Sequence, residues 1–134
     1  MIVKLSPDVV AAIRAAPPIA DYPGLLLALV NAHAVPKALA AAGWTFAVSR
    51  GRRGYCYSRR KLITIPKHAL TSNKGPGYDV YYIHHECAHA AGIRNHGPAF
   101  MVELKRICPP DVIHYELGYK PRNARAAGIA ENNC

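Results

Sequence analysis

Apolar residues recur along this chain in short blocks, and their spacing changes near residue 44. Ser6-Pro7-Asp8 carries a helix-start signature: a serine cap, a proline at the first helical position and an acid in the first turn. Val9, Val10 and Ile13 follow as an apolar stripe that Pro17-Pro18 ends. Tyr22-Pro23-Gly24 opens a second helix to about Ala34, with Leu25, Leu26, Leu29 and Val30 as core candidates. Pro36 resets the chain; Lys37 to Ala42 is predicted helical and Gly43 closes it. From Trp44 the texture is that of strands. Trp44 to Ser49, Tyr55 to Ser58 and Leu62 to Ile65 are rich in strand formers, and Gly51-Arg52-Arg53-Gly54 is a turn between the first two. They predict a small meander over roughly residues 44–66. Thr71 to Gly77 is a polar, turn-rich loop. A helix is predicted from Tyr78 to about Ala91, with Gly92 as its stop. Gly97-Pro98 starts another, on which Phe100, Met101, Leu104 and Ile107 share a face, and Pro109-Pro110 terminates it. The remainder is irregular by pattern, and Arg122 onward reads as a tail.

This order predicts an α+β fold in one domain over residues 1–134: N-terminal helices, a small three-stranded sheet, then two further helices. At 134 residues, half of them apolar, the chain can bury a core without disulfide staples and is not of disordered composition. Its longest apolar run, Leu25 to Val30, is too short to cross a bilayer, and Met1 to Ser6 lacks the basic and apolar regions of a signal peptide. No membrane association and a cytoplasmic location are expected. Cys56, Cys87, Cys108 and Cys134 make no C-x-x-C pair and read as free thiols. A net charge of +9, from 17 Lys+Arg against 8 Asp+Glu, favours an anionic partner, nucleic acid first.

The chemistry concentrates in the predicted helix at 78–91. His85-Glu86-Cys87-Ala88-His89 is an H-E-x-x-H, and His96 stands seven positions beyond its second histidine. With so few glutamates, the pattern arises by chance about 0.01 times in a chain of this composition. Positions i and i+4 share a helix face, so two imidazoles there can grip one metal ion. Two ligands leave a zinc ion half coordinated, and the turn at Gly92 can return His96 over the helix end as the third. Glu86 can then reach a water on the metal and act as general base. Cys87 points away from both histidines and reads as a small core residue; His84 is about 100° off the ligand face and reads as surface or as support for the ligands. Glu103 is the rival third ligand. Arg94, His114, Tyr115 and Tyr119 are each candidates to stabilise an oxyanion.

These motifs resemble the SprT-like metallopeptidases, the zincin branch that includes the Spartan proteases. His85 to His89 matches their zinc helix, and His96-Gly97-Pro98-Ala99-Phe100 matches their H-G-x-x-F. Trp44, Arg52 to Cys56 and Leu62 to Ile65 resemble their sheet segment. The likeness covers roughly residues 25–108 and leaves 109–134 as a C-terminal extension. It implies a zincin-like core, one Zn2+ per chain on His85, His89 and His96, Glu86 as base, and a small mixed sheet beside the zinc helix. It also implies a protein or peptide substrate, bound in this wider class by adding to an edge strand. The spacing from His89 to His96 is at the short end for that family, and Cys108 and Cys134 alone cannot build the zinc ribbon of many bacterial relatives.

A zinc-dependent metalloendopeptidase, acting on DNA-associated proteins, is therefore the expected function. Arg50, Arg52, Arg53, Arg59, Arg60, Lys61 and Lys67 place seven of the 17 cations in 18 residues, with Tyr55 and Tyr57 interleaved. That pattern suits phosphate neutralisation and base stacking, so single-stranded DNA is the expected nucleic-acid partner. The competing classes are a basic nucleic-acid-binding module whose zinc site is structural or vestigial, and a zincin that hydrolyses another bond, such as a small amide.

Overall fold

The computed structural model describes residues 6–8 and 20–117. The predicted stripe of Val9, Val10 and Ile13, the stop at Pro17-Pro18, Tyr119, Cys134 and the tail from Arg122 lie outside the described residues.

Among the described residues the chain is a mixed α+β structure with six α-helices and one three-stranded sheet. Helix α1 is Tyr22–Ala32 and α2 is Ala34–Ala41. The Asp21 side chain starts α1 by accepting a 3.0 Å hydrogen bond from the Gly24 amide, which satisfies one of the amides left over at a helix start. Leu26, Leu29 and Val30 are its buried face. Leu25 is 40% exposed, because one position along a helix turns the side chain about 100° off that face. His33 is extended, and the two helices meet at 101°. Pro36 sits inside the first turn of α2, where its missing N–H is not needed.

The sheet is not the predicted meander. Strands β1 (Thr45–Ser49), β2 (Tyr55–Tyr57) and β3 (Leu62–Pro66) are ordered β1-β3-β2. Strand β3 lies in the centre, parallel to β1 with Thr45 opposite Leu62, and antiparallel to β2 with Tyr57 opposite Leu62. The most apolar strand takes the middle: Ile63 and Ile65 are fully buried. A meander would have put the half-polar β2 there instead. Helix α3 (Lys67–Leu70), absent from the sequence reading, buries Ala69 and Leu70.

Helix α4 (Tyr78–Ala90) runs between two cores. Ile83 and Cys87 join α1, α3 and the sheet in the first. Tyr81 and Ala88 join Phe100, Leu104, Cys108 and Val112 in the second. Phe100 and Leu104 come from α5 (Pro98–Ile107). Met101 and Ile107 pack around that core only partly buried. After Pro109-Pro110 the chain is not irregular: it forms α6 (His114–Leu117) and folds back on α4. No single helix among the described residues is long and apolar enough to cross a membrane.

Candidate metal centre

Three elements converge on one point. His85 and His89 stand one turn apart on α4, and the chain then reverses at Gly92. Gly92 has φ +93°, a left-handed conformation that costs an L-residue about 1–2 kcal/mol. The reversal carries His96 back over the end of α4. Its Nε2 lies 3.0 Å from Nε2 of His89 and 3.2 Å from Nε2 of His85. The rings pack against Phe100, whose centroid is 4.6–4.9 Å from each.

The outer edges of two rings are tied. Nδ1 of His89 donates to the Ile93 carbonyl at 2.6 Å. Nδ1 of His85 is 2.7 Å from Oε1 of Glu116, which also accepts from the Tyr81 hydroxyl at 2.7 Å. An acceptor on Nδ1 puts the ring proton there and leaves the Nε2 lone pair facing inward. Lone pairs at such distances repel unless a cation or a proton on His96 lies among them. Tetrahedral zinc, with bonds of about 2.0–2.1 Å, sets its nitrogens roughly 3.3 Å apart, so the three imidazoles fit such an ion. His85, His89 and His96 are the group among the described residues that could hold a metal ion.

The electrostatics agree with that use. Burial first, and the neighbouring His85 second, pull both His89 and His96 down to about 4. Both are therefore neutral, as ligands must be, at neutral pH. Burial alone pushes Glu116 up, but the hydrogen bond and charge of His85 and the Tyr81 hydroxyl outweigh it, and Glu116 ends below its usual value. Burial, then the charge of Glu116, raises the Tyr81 hydroxyl. Glu86, next to His85, is fully buried.

The other sequence candidates are placed elsewhere. Glu103 hydrogen-bonds Arg106 on α5 and is not in the histidine group. His84 is not at the surface: it is buried, donates from Nδ1 to the Val80 carbonyl at 2.7 Å and meets His33 edge-on. The Tyr115 hydroxyl donates to the Pro76 carbonyl at 2.9 Å, and Arg94 and His114 are exposed. Cys87 is buried, and Cys87 and Cys108 are free thiols. Glu116 and Tyr81 were not singled out from sequence. Tyr81 is one turn before His85, a spacing that could have flagged it; Glu116 carries no local signal.

Arg50, Arg52, Arg53, Arg59, Arg60 and Lys61 are all exposed. They surround β2, far along the chain from the histidines. No protein-family profile, curated protein or solved structure matches this chain. The class it defines rests on its own residues: a mixed α+β domain with an H-E-x-x-H helix and a third, looped-back histidine.

Proposed function

We propose that the chain is a zinc-dependent metalloendopeptidase with a zincin-like core of SprT-like type. One observation carries the reading: three imidazoles turn Nε2 atoms 3.0 and 3.2 Å apart toward one point, and the fully buried Glu86 follows the first of them in the chain. A structural site needs ligands but no base next to them. Zinc held by His85, His89 and His96 would supply Lewis acidity for hydrolysis of a peptide bond. Glu86 would act as general base, taking a proton from the attacking water and returning it to the leaving amine. Its burial keeps the carboxylate out of bulk solvent, where proton transfer to substrate competes poorly with exchange. The free thiols of Cys87 and Cys108 suit a reducing, cytoplasmic setting. The test is degradation of basic DNA-binding proteins by wild type and Glu86→Gln, with and without DNA. Glu86→Gln retains its zinc and loses cleavage by at least about 100-fold; wild-type rates in that variant reject the mechanism.

A second reading adds nucleic acid, and the surface around β2 favours it. Between Asp21 and Asp79 the chain has no acid. The exposed cations there form no ion pair among the described residues. Cys56 faces the core, so Tyr55 and Tyr57 project from the opposite face of the sheet, with ring centroids 5.7 Å apart. Tyr57 is 38% exposed, with Arg60 over its ring at 5.3 Å. Single-stranded DNA, stacked on a tyrosine and neutralised by arginines, suits this face. No binding of a single-stranded oligonucleotide at low salt rejects it.

A further inference from the structure

We infer that Glu116 is a positioning residue of the metal centre: it fixes the tautomer and aim of His85 and so sets the affinity for the ion. This inference rests on the metal reading above. Nε2 of His85 faces His96 at 3.2 Å, while Glu116 meets Nδ1, on the other side of the same ring, at 2.7 Å. Glu116 is therefore on the wrong edge to be a fourth ligand. A carboxylate can only accept, so the ring proton is held on Nδ1 and the opposite lone pair is presented to the ion.

His89 obtains the same orientation from a backbone carbonyl four residues on. His85 has only the Tyr81 hydroxyl nearby on its own helix, 3.2 Å from Nδ1, and that hydroxyl donates its proton to Glu116 at 2.7 Å. The acceptor for His85 arrives from 31 residues along the chain, past Pro109-Pro110. The segment that delivers it is docked at three points. Val112 is buried against the second core. A Cβ on Gly77 would lie 2.5 Å from Val112, so the loop before α4 and this segment are in direct contact. Tyr115 bonds the Pro76 carbonyl. The docked segment 109–117 thus holds Glu116 against His85.

Anchoring α6 is the alternative role for Glu116, through Tyr81. The two roles separate because Tyr81→Phe removes the anchor bond, and with it the longer 3.2 Å contact of that hydroxyl with Nδ1 of His85, but leaves the carboxylate on His85 at 2.7 Å. The experiment measures zinc affinity of the full chain by competition with a chromophoric chelator, and the protonation pattern of His85 by 15N imidazole spectra of metal-free protein. We expect Glu116→Ala to weaken zinc about 10–100-fold. Glu116→Gln, which keeps an acceptor and loses the charge, falls between it and wild type. Tyr81→Phe stays near wild type in zinc affinity even if it melts earlier. In wild type the His85 proton resides on Nδ1. Zinc affinity of Glu116→Ala within about twofold of wild type, or a wild-type His85 proton on Nε2, overturns the inference. If Glu116→Ala does not fold, the wild-type spectrum and Tyr81→Phe still decide. Wild type that takes up no zinc rejects the metal reading itself, whereas zinc-loaded wild type with an indifferent Glu116→Ala rejects only the positioning role.

Discussion

His89 and His96 show what this site asks of single residues. Both are held down to about 4, by burial before anything else. In the unfolded chain each returns to its ordinary value of 6.5. As pH falls between those values the unfolded chain takes up protons that the folded chain refuses, so folding loses stability. Metal-free protein should therefore melt progressively lower as pH drops from about 6.5 to about 4, with the loss complete below about 4. A melting temperature flat across that window contradicts the buried, neutral imidazoles. The choice of third ligand is testable in the same way. His96→Ala should weaken zinc binding by at least about 100-fold, whereas Glu103→Ala should leave it unchanged, because Glu103 is engaged with Arg106. Equal losses in a chelator competition would sink that assignment. The histidine cluster was legible because helix geometry alone relates His85 and His89, and Gly92 announces the turn before His96. Glu116 was not legible. Its meaning depends on a fold-back that no pattern within residues 109–117 reports.

At the scale of elements, α4 is the member on which both cores depend, and its neighbours can be ranked. Phe100 is fully buried and touches all three histidine rings. Phe100→Ala should cost about 3–5 kcal/mol by denaturant titration and loosen the metal centre with it. A cost below about 1 kcal/mol would mean that α5 does not support the site. Gly92→Ala has open space for its methyl group but a positive φ, so roughly 1–2 kcal/mol of backbone strain is the expected effect. The long periodic helices were readable from the chain, their ends to within a few residues. The short α3 and α6 span four residues each and give periodicity nothing to work on. The sheet was readable as three strands but not as a topology. Strand order follows from which strand is most deeply buried, and Ile63 and Ile65 decide that only once α1 and α4 cover one face.

For the whole molecule, charge and chemistry are carried by different residues on neighbouring elements. The cations of residues 50–67 surround β2, which is tied to α4 by the Gly54 amide donating to the Tyr82 hydroxyl at 2.8 Å, whereas the histidines sit where α4, the 92–96 turn and α6 meet. None of those cations belongs to the histidine group, so nucleic-acid binding and metal binding should separate. Replacing Arg59 and Arg60 with alanine should lower single-stranded DNA affinity and reduce the salt slope by about 1–2, with zinc content unchanged. Loss of zinc in that variant would show that the two regions are one site. The most direct test of the account is the metal content of the full chain. Elemental analysis of protein prepared with zinc present should find about one zinc per wild-type chain. Wild-type protein that folds normally yet carries no zinc would contradict the three-histidine centre.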